Sequence, residues 1–439
     1  MSSDFVDVIT FYLPPLLLLW FFLGIRRRIK SGNNRSIMEE EFEAGLTEPA
    51  SLHPVIDHGR CMGCGSCVDA CPEQVNHPVL GLIDHKAVLI APTNCIGHSA
   101  CRLACPFDAI TLVFGTERRG VDIPQLDESF QTNMKGIYIA GELGGMGLIR
   151  NAIEQGRQAV DVICKSERSS HTAPLDLIII GAGPAGFSAS LCAKSHGLSY
   201  QTIEQDSLGG TVFQFPRGKI VMTAPVDLPL IGRMRFTETT KEALLKFWRD
   251  VEKKSGIRIN YKERVESITP SDAGYIVTTV NSQYEAKNVL LAIGRRGTPR
   301  KLGVEGEGLS KVVYRLIDPT QYRKKNVLVV GGGDSALEAA TTIAAETGTQ
   351  VTLSYRSGSF SRAKRKNREK VTQAERDGSL KVLMNSNVSS FKRKHVTIVH
   401  DGEHLEIAND AAIICAGGVL PTGFLKGVGI EVETKYGTA

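Results

Sequence analysis

The chain has 439 residues, which at roughly 150 residues per domain predicts about three domains. Apolar residues make up 42% of it and charged residues 23%, a globular composition that excludes wholesale disorder and fibrous structure. The net charge of +5 is mild and no nucleic-acid motif is present, so we expect no nucleic-acid partner. Seven of the ten cysteines fall between positions 61 and 105, a spacing typical of metal ligation rather than of a disulfide framework.

The N-terminal end carries an uncharged apolar run. Its eighteen residues, 8–25, read VITFYLPPLLLLWFFLGI and would rise about 27 Å as a helix, close to a hydrocarbon core of roughly 30 Å. Arg26–Arg28 follow directly, and this order predicts an outside N-terminus with the rest of the chain facing the cytoplasm. A cleaved signal peptide would carry its positive charge before the apolar run instead. We therefore predict a single-pass anchor in the cell membrane over 1–30 and a polar linker over 31–52.

Two cysteine runs follow. The run from Cys61 to Pro72 has the spacing C-x2-C-x2-C-x3-C-P, and the run from Cys95 to Pro106 repeats it with His98 in the second ligand position. This is the bacterial ferredoxin spacing, in which the fourth cysteine ligates the other cluster. Zinc sites use separated C-x2-C pairs and are the weaker interpretation. The crossed pattern predicts two [4Fe-4S] clusters, one held by Cys61, Cys64, Cys67 and Cys105 and the other by Cys71, Cys95, His98 and Cys101.

Residues 53–115 resemble the two-cluster bacterial ferredoxins and depart from them at His98. Either the imidazole ligates iron, or that cluster lacks one iron, as [3Fe-4S], and leaves His98 free. We favour ligation because His98 lies in register and imidazole is a competent iron ligand. A neutral imidazole in place of a thiolate would raise the reduction potential of the cluster.

A dinucleotide-binding pattern begins at residue 174. A predicted buried strand over 175–180 leads into Gly181-Ala-Gly183-Pro-Ala-Gly186 and an alanine-rich helix. A second strand ends at Glu204, 23 residues after Gly181, where a ribose-binding acid is expected. The free N–H groups at the start of the helix would bind a pyrophosphate.

The pattern recurs 150 residues later. A strand over 326–330 precedes Gly331-Gly-Gly333-Asp334-Ser335-Ala336, and the next strand ends at Ser354 instead of an acid. A missing carboxylate with arginines nearby favours the 2′-phosphate of NADPH over NADH, and a solvated basic face is the alternative. The arginines are Arg356, Arg362 and Arg365.

Residues 174–425 resemble flavoproteins of the thioredoxin reductase type, which carry two dinucleotide-binding domains. Segments 290–299 and 416–421 look like the crossovers between those domains. The resemblance implies an FAD domain over 174–300, an NAD(P)H domain over 301–420 and a tail, 421–439, that returns to the FAD domain. It implies FAD contacts at Gly181, Gly183, Gly186, Glu204, Gly209, Gly210 and Thr211, and NAD(P)H contacts at Gly331, Gly333, Asp334, Ser335, Arg356 and Arg362.

The strand, G-D pair and helix that normally end this family have a similar sequence at residues 116–165. Gly136–Glu142 resembles the strand and the pair, with Glu142 in place of aspartate, and a helix is predicted from about Leu148. We therefore expect a circular permutation in which 116–165 closes the FAD domain. An independent βα linker is the alternative. The expected flavin contacts in this segment are Gly141, Glu142 and Asn151.

The redox dithiol of the disulfide reductases has no counterpart in the sequence. Cys164, Cys192 and Cys415 form no C-x2-C pair and are expected to be small core residues. Thioredoxin reductase activity should therefore not carry over, and no catalytic side chain is predicted.

The predicted fold class is α/β, with two Rossmann-like domains, a small α+β ferredoxin-like domain and one transmembrane helix. We expect an enzyme that moves electrons between NADPH (or NADH), FAD and two clusters, to or from a membrane carrier such as a quinone or cytochrome. The alternatives are a soluble ferredoxin or flavodoxin partner, or a non-catalytic membrane-tethered redox sensor. The direction of electron flow and a homodimer remain open.

Overall fold

The computed structural model describes residues 3–43, 46–47, 49, 52–75, 78–95, 97–116, 120–144, 147–165, 173–223, 225–295, 297–361 and 363–437. The chain divides into two compact units. The first contains 1–119 with 359–365 and 437–439, and the second contains 120–358 and 366–436. The helices are α1 (Ser3–Glu43), α2 (Ser66–Asp69), α3 (Ala100–Leu103), α4 (Ile149–Lys165), α5 (Pro184–Ser195), α6 (Lys241–Ser255), α7 (Asp334–Ala344), α8 (Arg365–Arg376) and α9 (Thr422–Val428).

Two antiparallel strand pairs frame the first unit. Its strands are β1 (His53–Ile56), β2 (Leu80–Ile83), β3 (Lys86–Leu89) and β4 (Ile110–Val113). β1 pairs with β4 and β2 pairs with β3, so the first and last strands of this segment lie side by side. The short helices α2 and α3 start within the two cysteine runs and contact each other. The core of the unit consists of buried cysteines together with Val68, Leu80 and Ile110.

α1 extends well beyond the predicted anchor. Residues 31–43, predicted as part of a polar linker, continue the helix. Asn34 Nδ2 donates a hydrogen bond to the Leu82 carbonyl at 3.0 Å, and Arg35 pairs with Asp84 at 2.6 Å. The C-terminal part of α1 therefore packs against the β2–β3 hairpin. The sequence missed this extension because its polar residues are bound by a hairpin fifty residues further along the chain.

The apolar part of α1 is exposed and includes Leu18 and Trp20, at 70% and 75%. Arg26, Arg27 and Arg28 follow it on the same helix. Within the part of the chain that the structure describes, no helix is both long enough and apolar enough to cross a membrane. The transmembrane helix predicted over 1–30 is therefore not shown.

A seven-stranded sheet organises the first part of the second unit. The strands there are β5 (Val121–Pro124), β6 (Ile137–Ile139), β7 (Leu175–Ile180), β8 (Tyr200–Ile203), β9 (Ile220–Met222), β10 (Val226–Leu228), β11 (Gly232–Met234), β12 (Glu238–Thr240), β13 (Ile259–Asn260), β14 (Val265–Ser271), β15 (Gly274–Thr279), β16 (Gln283–Leu291) and β17 (Thr298–Pro299). The sheet order is β13-β8-β7-β16-β15-β14, with β6 also paired to β16. Apart from Asp176, β7 consists of apolar residues, and its last four side chains are buried, as a parallel central strand requires.

The second part of this unit holds a smaller parallel sheet. Its strands are β18 (Val312–Val313), β19 (Asn326–Val330), β20 (Gln350–Ser354), β21 (Leu380–Leu383), β22 (Ser386–Phe391), β23 (His395–His400), β24 (Glu403–Ala408), β25 (Ala411–Ile414), β26 (Gly418–Val419) and β27 (Val432–Lys435). The parallel order is β18-β25-β19-β20-β21, and β22–β24 form an antiparallel meander. β17 and β26 pair where the chain passes between the two sheets. The predicted mixed α/β class with a ferredoxin-like domain is confirmed.

The segment before β7 belongs to the larger sheet. β6 runs parallel to β16, with Tyr138 opposite Leu290, and β5 pairs antiparallel with β27. α4 packs on α5 at very short range, since a Cβ atom added at Gly156 would lie 2.0 Å from the Ala185 carbonyl oxygen. Residues 121–165 and the strand near the C-terminus are thus built into the same unit as the first glycine loop.

Candidate functional site

Four cysteines of the first unit line one cavity. They are Cys61, Cys64, Cys67 and Cys105, the set that the crossed ferredoxin pattern assigns to one cluster. Apolar groups, among them Ile56 and Phe107, complete the lining. Cys61 and Cys67 are buried, whereas Cys64 is exposed. The chain thus converges four thiols from both cysteine runs on one apolar cavity.

The remaining predicted ligands are His98, Cys71, Cys95 and Cys101, and Cys95 interacts electrostatically with Cys101 and Cys71. The Nε2 atom of His98 is 3.9 Å from Cys71 Sγ. Its Nδ1 atom is buried and has no hydrogen-bond partner among the described residues. Burial lowers the pKa of His98, which favours the neutral imidazole that ligates metals. The structure therefore presents a neutral imidazole to a thiol of the other run.

The buried thiols match the requirements of iron ligands. Burial and the neighbouring Cys61 raise the pKa of Cys67 to about 11, and burial raises the pKa of Cys95 to about 11. Burial also raises the pKa of Cys71 and of Cys101. Thiols packed this closely without cations favour their neutral forms, and a bound metal ion would stabilise them as thiolates. This donor set suits iron–sulfur clusters.

The first glycine loop joins β7 to α5. A Cβ atom at Gly186 would lie 1.8 Å from the Gly181 carbonyl oxygen. At this point α5 therefore contacts the end of β7 through backbone atoms, with no room for a side chain. At Gly183, which precedes α5, an added Cβ atom would meet no atom within 4 Å. The loop therefore leaves open space at the start of a twelve-residue helix, where N–H groups bind anions.

Glu204 stands at the end of β8 beside this loop. Its side chain is buried and accepts hydrogen bonds from the backbone N–H groups of Ala182, at 2.7 Å, and Asp206, at 2.8 Å. Burial raises the pKa of Glu204 despite these bonds. Each carboxylate oxygen keeps a second lone pair, which a ribose hydroxyl could use.

Two further predicted segments reach the same loop. Gly209 donates to the Ala182 carbonyl at 2.9 Å, and a Cβ atom at Gly210 would lie 3.2 Å from Gly183 Cα. A Cβ atom at Gly141 would lie 3.0 Å from the Ala185 Cβ atom, in the first turn of α5. The remaining predicted contacts in these segments, all half-buried, are Thr211, Glu142 and Asn151. The structure thus brings separate sequence segments together at the first glycine loop and the start of α5.

The second glycine loop has the same construction. An added Cβ atom at Gly333 meets no atom within 4 Å, and α7 begins at Asp334. Asn367 Nδ2 donates to Asp334 Oδ1 at 2.7 Å, a contact the sequence did not indicate. The Tyr355 ring lies against the loop, since a Cβ atom at Gly332 would come within 2.3 Å of it. Ser335 is the next residue of α7 and is exposed.

The end of β20 differs from the end of β8. Ser354 is fully buried, and its hydroxyl is hydrogen-bonded to the Ser386 hydroxyl at 2.7 Å. Arg356, two residues later, is exposed. Arg362 lies outside the described residues. The end of β20 therefore carries no carboxylate like that of Glu204, and an exposed arginine follows two residues later.

Three cysteines lie outside the two cysteine runs, and two of them, Cys164 and Cys192, are near each other. Cys192 is buried in α5, as expected for a core residue, and Cys164 lies partly buried in α4 against the same apolar cluster. Cys415 follows β25, and its thiol is 3.8 Å from the Ser335 carbonyl oxygen. The sequence did not indicate that Asp161 and His196 would adjoin Cys192.

Two family models match the chain. The model described as pyridine nucleotide-disulphide oxidoreductase matches residues 178–438, and the model described as 4Fe-4S dicluster domain matches residues 53–106. The first match covers more than half of the chain and contains both glycine loops. The second contains both cysteine runs. Together they support FAD, NADP and iron–sulfur clusters as the cofactors.

Curated relatives and solved structures resemble the larger part of the chain. A ferredoxin–NADP reductase of Ignicoccus hospitalis is 32% identical over 269 residues, which cover 59% of this chain and 83% of that protein. The bacilliredoxin reductase of Bacillus subtilis is 28% identical over 268 residues, or 59% and 82% of the two chains. The solved bacillithiol disulfide reductase of Staphylococcus aureus has 27% identity and a TM-score of 0.52, and the match covers 59% and 81%. The chain therefore belongs to the pyridine nucleotide-disulphide oxidoreductase family, as an enzyme that also carries a 4Fe-4S dicluster domain.

Proposed function

We propose that this enzyme moves electrons between NADPH and an electron-carrier protein or quinone, using FAD and the iron–sulfur domain in place of a redox dithiol. When bound, FAD exchanges a hydride with nicotinamide and single electrons with iron–sulfur clusters. The observation that carries the proposal is the joint presence of two open glycine loops and two converging cysteine sets in one chain. Outside the two cysteine runs, Cys164, Cys192 and Cys415 form no C-x2-C pair, which argues against the dithiol chemistry of the disulfide reductases.

The residues of the chain would position the nucleotides. The loop at Gly183 and the start of α5 would bind the FAD pyrophosphate, and Glu204 would orient its ribose. The loop at Gly333 would bind the pyrophosphate of NADPH, with Arg356 placed for the 2′-phosphate. Tyr355 would cover the backbone of that loop.

Anaerobic mixing with NADPH tests the proposal. We expect bleaching of the flavin absorbance followed by the paramagnetic signals of reduced clusters. In Gly331→Val a Cβ atom would lie 2.4 Å from the Cys415 carbonyl oxygen, so NADPH should reduce neither group. Dithionite should still reduce both groups in that variant. Flavin reduction by NADPH with clusters that stay oxidised would contradict the proposal.

Two clusters are proposed, with His98 as a ligand of the second. The support is the 3.9 Å approach of His98 Nε2 to Cys71 Sγ and the buried, unpartnered Nδ1 atom. In His98→Cys the potential of one cluster should fall, because a thiolate adds negative charge. Redox titration followed by electron paramagnetic resonance measures it. His58→Cys, in the loop after β1, is the matched control, and equal titrations of wild type and His98→Cys would exclude ligation.

The segment 116–165 is proposed to be the circularly permuted closing piece of the FAD domain. The pairing of β6 with β16, the packing of α4 on α5 and the pairing of β5 with β27 support it. Gly141, Glu142 and Asn151 would then face the flavin. Asn151→Ala should change the flavin spectrum or potential, whereas Glu154→Ala, one turn further along α4, should not. Identical flavin properties in both variants would count against the permutation.

Membrane attachment through α1 is also proposed. Its exposed apolar side chains, which include Leu18, Trp20 and Phe21, and the arginines that follow them support it. A truncated protein lacking residues 1–25 keeps Asn34 and Arg35, which bind the β2–β3 hairpin. It should lose sedimentation with membranes and retain NADPH–dye activity. Continued sedimentation would show another attachment.

The names of the curated relatives and the proposed membrane attachment favour different electron partners. Several relatives are named ferredoxin–NADP reductases, which favours a ferredoxin, and membrane attachment would favour a quinone or cytochrome. NADPH-dependent reduction of ferredoxin in solution, compared with reduction of a quinone in vesicles, distinguishes the partners. The direction is measured by running each assay with reduced carrier and NADP.

A further inference from the structure

A mixed set of metal-binding side chains lies where α4 crosses α5, apart from both glycine loops. Asp161 of α4 meets Cys192 and His196 of α5, and their ligand atoms all lie within 4.8 Å of one another. Cys192 and His196 are four residues apart, so one helix face presents both. Neither the iron–sulfur chemistry nor nucleotide binding uses these residues.

The distances suit a tetrahedral ion. Asp161 Oδ1 is 3.4 Å from Cys192 Sγ and 2.8 Å from His196 Nε2. Zinc with bonds of about 2.0–2.3 Å holds its ligand atoms about 3.3–3.6 Å apart. Small side-chain adjustments would therefore bring all three atoms into bonding range.

The rest of the environment also matches a metal site. Arg157 Nη1 binds Asp161 Oδ2 at 2.6 Å, which fixes the carboxylate and leaves Oδ1 directed at the cysteine and histidine. Hydrogen bonds of this kind orient metal ligands. Cys192 is buried, whereas the His196 side chain is 41% exposed, so an ion would have a route from solvent.

We propose that Asp161, Cys192 and His196 form a zinc site that fastens α4 to α5. Sulfur, imidazole and carboxylate donors together select zinc over magnesium or calcium. Binding would release the proton of the Cys192 thiol, and the His196 imidazole would ligate through Nε2 with its ring proton on Nδ1. A water molecule would supply the fourth ligand, or the nearby Cys164 thiol would do so with release of a second proton.

The site would have a structural purpose. α4 belongs to the segment before β7, and residues 121–165 contact the FAD-binding sheet through β6 and through α4. An ion between α4 and α5 would hold these helices together. Zinc should therefore raise the thermal midpoint and slow the loss of FAD.

Zinc content of the full-length protein, purified anaerobically with FAD and clusters in place, tests the proposal. After equilibration with micromolar zinc and gel filtration, we expect about one zinc per chain. Cys192→Ser and His196→Gln keep hydrogen-bonding groups but should weaken zinc binding at least about tenfold. Iron and sulfide per chain should stay unchanged. His400→Gln, which removes a histidine paired with Asp401, is the matched control and should bind zinc normally.

X-ray absorption at the zinc edge identifies the ligands. One or two sulfur neighbours with nitrogen or oxygen neighbours would support the site, while four sulfurs would place zinc in the ferredoxin cysteines and overturn it. Wild-type protein without zinc, or equal zinc in wild type and both variants, would also overturn it. Flavin content and circular dichroism verify that each variant is folded.

Discussion

The two glycine loops have the same backbone construction. They differ in the residue at the end of the second strand of each nucleotide-binding unit, β8 or β20. Both leave open space at the central glycine, Gly183 or Gly333, before a helix. After β8, Glu204 presents a carboxylate held by two backbone N–H groups, whereas β20 ends in Ser354, which is bonded to Ser386. The difference teaches that two loops of the same backbone construction can end in different side chains, and under the proposed function these side chains would distinguish the two nucleotides.

We expect the largest effect on stability and on bound FAD from a substitution at the third glycine of the first loop, Gly186. Gly186→Ala places a Cβ atom 1.8 Å from the Gly181 carbonyl oxygen, so the strand and helix must separate. We expect a cost of about 3 kcal/mol or more and loss of most bound FAD. Flavin absorbance per chain and thermal unfolding measure it.

The second loop supplies the matched control, because Ala336 already occupies that position. Ala336→Gly should cost only about 1 kcal/mol from lost helix propensity and leave FAD bound. Equal flavin loss in both variants would show that the two loops are not built alike.

The next largest expected effect, on FAD affinity, comes from replacing the carboxylate of Glu204 beside the first loop. Glu204→Gln replaces an oxygen that accepts from Ala182 or Asp206 with an amide donor, leaving a buried N–H unsatisfied. A cost of about 1–3 kcal/mol corresponds to roughly five- to 150-fold weaker FAD binding. Equilibrium titration of the apoprotein with FAD measures it. Glu406→Gln, at an exposed ion pair, should leave the affinity unchanged; an equal loss there would refute a specific role for Glu204.

Arg356 gives a smaller and more selective effect. Arg356→Glu should raise the KM for NADPH roughly tenfold and that for NADH by less than about twofold, since only NADPH carries the 2′-phosphate. Dye reduction assayed with each nucleotide measures both constants. Arg376→Glu, at the exposed end of α8, makes the same charge change elsewhere. Parallel increases for NADPH and NADH would remove the 2′-phosphate assignment.

Local signals made much of the fold predictable. The predicted strands 175–180, 326–330 and 350–354 coincide with β7, β19 and β20, because apolar runs bounded by glycine loops identify buried parallel strands. The helical continuation of α1 to Glu43 was not predicted, since its polar residues gain their partners only from the β2–β3 hairpin. The local sequence pattern likewise did not predict the contact of Asn367 with Asp334.

The sequence by itself determined the cofactor chemistry, because the cysteine and glycine motifs that indicate the cofactors each lie within a short stretch of the chain. Only the tertiary structure decided the register of β6 on β16 and the meeting of Asp161 with Cys192 and His196. The physical reason is that strand pairing and helix crossing depend on residues far apart in the chain, and no spacing rule relates α4 to α5, which are separated in the chain by β7.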